Sequence, residues 1–298
     1  MTKDDGCIIV GGGLCWLPLP APLMGRDFFR VSMMIINNAG TQQLELATSG
    51  GGFCQACGRE HFFAATELAR KHARALMAAL AAEKRIDFAV EPHRADPRFS
   101  TDYLFGEARG QMFGVMVCRD QAGRMRVRRA FSCQYNGEWL VEGWVGPLFD
   151  VGEFKELTCN VEARVKQLGM EIGRRETRGE DGQQLRQERK QLSRQLMKDI
   201  HGLYRLRNFK GETRLLADAF TGSGGIPTGV GDCCAPKLLH HAAQHNLTPL
   251  GIVEFYWGKE NRSQTREHGR FYSACQEKCA PILGFLLCGL DKIVEGKI

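Results

Sequence analysis

The alternation of apolar and polar residues predicts a small sheet. Residues 110–118 are almost continuously apolar, as in a buried strand, whereas residues 124–131 alternate, as in a strand with one exposed face. The turn residues 120–123 separate them, so we expect a hairpin. Residues 138–145 are predicted to add a third strand to this meander. Residues 250–257 read as a further buried strand.

A period of three to four residues predicts helices in other parts of the chain. Residues 64–85 are rich in alanine, with apolar residues on one face. Beyond a capping box at Asp150, apolar residues recur from Phe154 to Ile172. The pattern resumes over residues 185–203 after a break with charge and glycine. Two helices joined in this way form an antiparallel hairpin.

Two more helices are predicted to begin at pairs of cysteines, on either side of the strand at 250–257. Cys233 and Cys234 follow a glycine turn and Asp232, and they precede an apolar stretch. Cys275 and Cys279 also precede an apolar stretch, and their spacing places both on one side of a helical turn. A helix–strand–helix unit therefore brings four thiols to helix N-termini, where the positive dipole end favours the thiolate.

Together these elements predict an α/β or α+β fold, in which helices pack a small sheet, a helical hairpin projects, and the helix–strand–helix unit carries the cysteine site. We expect four regions along the chain: an N-terminal segment of uncertain order (1–60), a helix plus β-meander (61–150), a basic helical hairpin (151–215) and a cysteine-rich site region (216–298).

Composition narrows the class of protein. Of the 298 residues, 43% are hydrophobic, which is ample for a folded core. No run of about 18 apolar residues occurs, so no membrane span is expected. The acidic start lacks the basic residues of a secretory signal, and twelve cysteines in a chain this long fit reduced thiols better than a disulfide scaffold. We expect a cytoplasmic protein.

The net charge of +6 is concentrated in one segment. Residues 160–214 contain fourteen basic and eight acidic residues, an excess equal to that of the whole chain. The polar faces of the helical hairpin carry most of it, so RNA is the expected partner, with a plain solvated surface as the alternative. The predicted RNA contacts are Arg186, Arg189, Lys190, Arg194 and Lys198.

The four thiols predict a zinc site. Cys275, Cys279 and one of Cys233 or Cys234 are predicted to hold the ion, and a water is predicted to fill the fourth position. Asp232 or Glu254 would move protons. This arrangement is similar to that of the zinc nucleoside and nucleobase deaminases. It differs from theirs in having Cys-x-x-x-Cys in place of Cys-x-x-Cys, and in lacking the glutamate two residues after the first ligand.

Two other interpretations of these cysteines stay open. Cys233 or Cys234 could be a nucleophile activated by the helix end and by His240, His241 or His268. Alternatively, all four could be reduced core cysteines, since free cysteine is among the most buried residue types. A separate Cys54-Gln-Ala-Cys57 motif with His61 is half of a zinc ribbon. Because no second Cys-x-x-Cys follows at ribbon spacing, no metal is assigned to it.

Several segments carry a resemblance to a known family. They are Gln111-Met-Phe-Gly-Val-Met-Val, Gln187-Glu-Arg-Lys-Gln-Leu-Ser-Arg, Gly231-Asp-Cys-Cys-Ala-Pro-Lys-Leu-Leu, Val253-Glu-Phe-Tyr-Trp-Gly and His268-Gly-Arg-Phe-Tyr-Ser-Ala-Cys-Gln-Glu-Lys-Cys-Ala-Pro-Ile-Leu. In this order they resemble the long N-terminal region ahead of the catalytic domain in some bacterial RluA-type pseudouridine synthases. The resemblance covers roughly residues 65–290 and implies a protein associated with RNA modification.

The catalytic motif of that family, His-Arg-Leu-Asp, has a loose counterpart in His93-Arg-Ala-Asp96. Pro97 follows it in place of the expected Thr-Ser-Gly, so pseudouridine synthesis is not assigned to this chain. We expect a stand-alone version of the N-terminal module that binds RNA, whether tRNA or rRNA, and associates with a pseudouridine synthase domain. Zinc-dependent deamination and cysteine-nucleophile chemistry are the candidate activities. A non-catalytic RNA-binding module with structural zinc is the alternative.

Overall fold

A computed structural model describes residues 49–291, which adopt an α+β fold, as predicted. Within this range three antiparallel sheets pack against six helices, and none of these helices is long and apolar enough to cross a bilayer. The elements are β1 (Ser49–Cys54), β2 (Arg59–Ala64), α1 (Glu67–Glu83), β3 (Gln111–Arg119), β4 (Met125–Phe131), α2 (Val151–Thr177), α3 (Gln183–Leu203), β5 (Arg205–Arg207), β6 (Thr213–Leu215), α4 (Leu216–Ala219), α5 (Cys234–Gln244), β7 (Thr248–Trp257), β8 (Phe271–Tyr272) and α6 (Ala280–Leu287).

The largest sheet has the strand order β4-β3-β7-β8, with every neighbouring pair antiparallel. The predicted β3–β4 hairpin and the predicted strand β7 are confirmed. Alternate side chains of β3 enter two different cores: Phe113 and Val115 pack with α1, whereas Met116 packs with α5 and α6. Both faces of β3 and β7 are therefore covered, which explains their nearly continuous apolar sequences.

The prediction of a third strand at residues 138–145 is wrong. This segment turns back on itself and forms a single bridge between Tyr135 and Glu138. Most of its apolar residues are buried without forming a strand, whereas Leu140 is exposed. The Trp144 indole packs between Phe113 and Phe131, and its Nε1 donates to the carbonyl of Ile86 at 2.8 Å. The third strand of the sheet is β7, which pairs with β3 along its whole length.

The predicted helical hairpin is confirmed as α2 and α3. Asp150 caps α2 by accepting from the backbone N–H of Glu153 at 2.9 Å. The helix continues past the predicted break to Thr177. Three of its residues are buried and no residue of α3 is, so most of the hairpin surface faces solvent.

The backbone of β1 lies directly on helix α6. A Cβ atom on Gly52 would collide with the carbonyl oxygen of Ala280, and one on Gly284 would collide with the backbone of Phe53. Glycine at both positions lets the strand and the helix approach without intervening side chains. The β1–β2 hairpin, which spans the predicted boundary at residue 60, is thereby held against the last helix of the described chain.

We expect Gly284→Ala to lower the free energy of unfolding by about 1–3 kcal/mol, because the added methyl group overpacks this contact. The matched control is Gly173→Ala on the exposed face of α2, where a Cβ meets nothing within 4 Å. It should stabilise the protein by roughly 0.5–1 kcal/mol through helix propensity. Urea denaturation measures both changes. Equal effects of the two variants would show that the close approach of β1 and α6 is not required.

Candidate metal centre

Four metal-binding side chains meet where β1, β2 and α6 come together. Cys54 ends β1, Cys57 lies in the following turn, His61 is in β2, and Cys288 caps the C-terminus of α6. One ligand atom from each residue lies within 4.8 Å of all the others. Within residues 49–291 no other group of three or more His, Cys, Asp or Glu side chains meets this condition.

Local backbone geometry brings the first three side chains together. The turn after β1 is closed by a hydrogen bond from the Gly58 N–H to the Cys54 carbonyl at 2.9 Å, and Gly58 has a φ of 68°, which favours glycine. Side chains alternate along β2, so His61 is buried toward α6 while Glu60 and Phe62 face outward.

His61 is oriented from both of its ring nitrogens. Nε2 lies 3.0 Å from the sulfur of Cys57, and Nδ1 lies 3.2 Å from Oδ2 of Asp291. The imidazole is 2% exposed, whereas the Asp291 side chain is 48% exposed. A carboxylate on the outer nitrogen of a metal-binding histidine holds the ring in place and leaves the inner nitrogen available for the metal.

The thiols of this cluster differ widely in pKa. Burial acts to raise the pKa of Cys57, but hydrogen bonds from His61, from the backbone and from neighbouring thiols outweigh it and lower the pKa to about 6. Burial and contact with Cys57 and Cys54 raise the pKa of Cys288 to about 12. Lys210 lies beside Cys288, and this contact raises the pKa of the lysine. A cation in the cluster would stabilise further thiolates, and Lys210 would balance their charge.

This donor set could hold a metal such as zinc. Three sulfurs and one imidazole form a Cys3His set, which is typical of tetrahedral structural zinc sites in which the protein supplies all four ligands. The cluster differs from the predicted site. The Cys54-x-x-Cys57 motif and His61 were visible in the sequence, but Cys288 follows an apolar helix far along the chain and no spacing rule connects it to them.

The predicted thiol ligands are partly brought together. Helices α5 and α6 do begin at cysteines, with Cys233 and Cys279 as their N-caps. The Cys279 thiol lies within hydrogen-bonding distance of Cys233 and Cys275. Cys234 points elsewhere: its thiol donates to the carbonyl of Met112 at 3.4 Å, and burial raises its pKa well above the usual value. The four sulfurs therefore do not share one centre.

The predicted proton-transfer residues are both buried and hydrogen-bonded. Oδ1 of Asp232 accepts from the Tyr204 hydroxyl at 2.6 Å, and Oε1 of Glu254 accepts from the Ala235 N–H at the start of α5 at 2.8 Å. Burial raises both carboxyl pKa values, that of Glu254 to about 7. Lys237, which was not predicted, interacts with Asp232, and its ammonium donates to the carbonyls of Phe131 and Cys133.

The three histidines considered as partners of a nucleophilic cysteine have other contacts. Nδ1 of His268 accepts from the N–H of Gly258, and its ring packs on Trp257. Nδ1 of His240 accepts from the backbone of Arg207 at 3.1 Å. His241 accepts from the guanidinium of Arg128 at 3.2 Å.

The predicted RNA-binding residues lie along α3. Arg186, Lys190, Arg194 and Lys198 are exposed and four residues apart, so they form one stripe; Arg189 is half-buried. Arg186 pairs with Glu176 at 2.9 Å. Lys190, Arg194 and Lys198 have no carboxylate within 4.0 Å in the described part of the chain.

Comparisons with protein-family models, with curated proteins and with solved structures found no match to this chain. The geometry of its own residues is therefore the basis for a functional proposal.

The buried Glu254 predicts a specific pH dependence. Its pKa in the folded protein is about 7, against 4.5 for a free carboxyl, because burial outweighs the hydrogen bond from Ala235 and the nearby Arg266, and because Cys275 adds repulsion. The folded state thus holds this proton more tightly, so the contribution to stability is complete below pH 4.5 and is lost as the pH rises to 7. Its size is on the order of 3 kcal/mol.

We expect the wild type to lose this amount relative to Glu254→Gln between pH 4.5 and 7, because glutamine keeps the acceptor for Ala235 and does not titrate. Denaturant unfolding at a series of pH values measures the difference. As a control, Glu107→Gln, at an exposed position, should show the same pH dependence of stability as the wild type. A constant difference between the wild type and Glu254→Gln would show that Glu254 ionises normally in the folded protein.

Proposed function

We propose that this chain is a zinc-stabilised RNA-binding module of the kind that precedes the catalytic domain in some bacterial RluA-type pseudouridine synthases. The observation that carries the proposal is the Cys54, Cys57, His61 and Cys288 cluster with Asp291 behind its histidine. A set with four protein ligands leaves no position for a catalytic water, which supports a structural metal over deaminase-like hydrolysis.

The position of this cluster supports a structural role. It joins the β1–β2 hairpin to the C-terminal end of α6, two parts of the chain that are distant in sequence. Short strands such as these have little apolar surface of their own, and β1 contains three consecutive glycines. Because metal binding to a site of this kind contributes directly to folding, zinc would hold the hairpin in place.

The basic stripe of α3 supports RNA binding. The helix has five basic and two acidic residues, and its unpaired basic side chains lie on an exposed surface. Cations at a spacing of four residues along a helix can follow a phosphate backbone without reading its sequence. The module would therefore add affinity for RNA while a joined synthase domain supplied the chemistry.

The basic surface continues beyond α3 onto the β5–β6 hairpin. Arg205 and Arg214 line an open cavity of about 550 Å³ together with Thr213, Leu215 and Asp218. Arg205 is exposed and lies two residues after the end of α3, so it adds a basic side chain near that end of the helix. Within residues 49–291 no two cysteines are joined by a disulfide. We propose a reducing, cytoplasmic location for the protein.

The zinc proposal predicts one zinc ion per chain in the purified protein. Cys57→Ser and Cys288→Ser should lose it and unfold at lower temperature, because each removes one of four ligands. Asp291→Ala should keep the fold but weaken zinc affinity about tenfold, since it removes the acceptor beside the outer nitrogen of His61. Metal analysis and competition with a chelator measure these effects.

Cys275→Ser is the matched control, because it removes a half-buried thiol at the other end of α6. It should retain zinc. If zinc were lost from Cys275→Ser or Cys279→Ser and retained by Cys57→Ser, the metal would lie at the paired helix starts, where the sequence predicted it.

The RNA proposal predicts that reversing Lys190, Arg194 and Lys198 to glutamate weakens binding to every RNA sequence alike. Three lost phosphate contacts should reduce the slope of log affinity against log salt by about 2. Fluorescence anisotropy with a labelled single-stranded RNA, in a series of salt concentrations, measures both quantities.

The control reverses the same number of exposed charges on the partner helix, at Lys155, Lys166 and Arg174. It changes the net charge equally and leaves the stripe on α3 intact. If both triple variants bound RNA equally weakly, net charge alone would account for the affinity. If neither lost affinity, the hairpin would not be an RNA-binding arm.

A further inference from the structure

Three cysteines lie at the N-terminal end of α6, away from the candidate metal centre. Cys275 and Cys279 are joined by one turn, in which the Cys279 N–H donates to the Cys275 carbonyl at 3.0 Å. Cys275 is half-buried, whereas Cys279 is fully buried. The Cys279 thiol contacts the side chains of Cys275 and of Cys233, the N-cap of α5.

The surroundings of Cys275 favour a thiolate. Its sulfur accepts hydrogen bonds from the Cys279 thiol and from the backbone N–H groups of Glu277, Lys278 and Cys279, and these outweigh burial and lower its pKa to about 5. Backbone N–H groups that converge in a turn form a pocket for an anion. Cys279 has the opposite character, because its contacts with the Cys233 and Cys275 side chains, together with burial, raise its pKa well above the usual value.

An accessible thiolate beside a protonated thiol is the arrangement found in peroxide-reactive cysteine pairs, in which the first sulfur is oxidised and the second resolves it. We infer that Cys275 and Cys279 form a redox-active dithiol that reacts with peroxides and closes to a Cys275–Cys279 disulfide. Residues four apart on a helical turn have Cβ atoms about 5–6 Å apart, and a disulfide needs about 4 Å. Closing the disulfide therefore requires the turn at 276–279 to bring the two Cβ atoms about 1–2 Å closer.

The chemistry balances in two steps. The Cys275 thiolate attacks the peroxide, the O–O bond breaks, and the sulfur becomes a sulfenic acid while the other oxygen leaves as hydroxide, or alkoxide from an alkyl peroxide. The Cys279 sulfur then attacks the sulfenic sulfur, forms the S–S bond and releases water, with its proton carried away on that leaving group. Two electrons pass from the dithiol to the peroxide. A small dithiol reverses the reaction by thiol–disulfide exchange.

This inference does not depend on RNA binding or on zinc at Cys54, Cys57, His61 and Cys288. It has one structural consequence. Once Cys279 is bonded to Cys275 it is no longer a thiol, so the thiol–thiol contact with Cys233 between the starts of α5 and α6 is lost.

The test treats the full-length zinc-loaded protein with hydrogen peroxide at neutral pH, then alkylates the remaining thiols. We expect the wild type to lose two hydrogen atoms in mass, and non-reducing peptide mapping to place the disulfide between Cys275 and Cys279. Zinc should stay bound during this step. Cys279→Ser should stop at a sulfenic acid on Cys275, which a cyclic dione traps, and Cys275→Ser should oxidise at this site roughly tenfold more slowly.

Circular dichroism checks that both variants fold. The peptide map of the wild type does not depend on either variant. The inference is wrong if the first oxidised residues are Cys133 or Cys57, or if zinc is released as fast as thiols are lost, since the reactive sulfurs would then belong elsewhere. It is also wrong if both thiols stay reduced at a peroxide concentration that oxidises glutathione.

Discussion

The direct contact between the backbones of β1 and α6 is the constraint on which both cysteine clusters depend. At Gly52 and Gly284 no side chain separates the two backbones, so the position of the helix on the strand is closely constrained. A helix fixed along its length also fixes its two ends. Its C-terminal end places Cys288 among Cys54, Cys57 and His61, and its N-terminal end places Cys279 beside Cys233. A shift of the helix by one residue would separate both sets of sulfurs.

The start of α5 shows how buried charges are accommodated in this fold. Glu254 points from the central sheet at the first turn of the helix and accepts the N–H of Ala235, which would otherwise lack a partner. The ammonium of Lys237 donates to two backbone carbonyls and lies against the rings of Phe131 and Trp139. Each group thus satisfies backbone atoms that helix and strand ends leave unpaired. A structural explanation of both residues is therefore sufficient without a catalytic role.

Much of the fold could be predicted because its signals are local. The β3–β4 hairpin, the α2–α3 hairpin with its Asp150 cap, and the helices that begin at cysteines all follow from periodicity and capping. A strand was wrongly predicted at residues 138–145 because the buried Trp139 and Trp144 give the same apolar pattern as a strand. Backbone pairing, in contrast, depends on neighbours distant in sequence. The candidate metal centre was not predicted from the sequence for a related reason. Its fourth ligand, Cys288, is chosen by how α6 packs, and no local pattern reports that.

The two ends of α6 show why cysteine identity alone does not determine chemistry. At the C-terminal end several thiols and an imidazole converge, and only a cation can hold more than one of them as thiolate at close range. At the N-terminal end the free N–H groups of the turn already stabilise one thiolate, and a protonated neighbour supports it. A metal would have little to add there. The helix dipole and the number of converging sulfurs therefore favour the proposed metal site at one end of the helix and the proposed reactive thiol at the other.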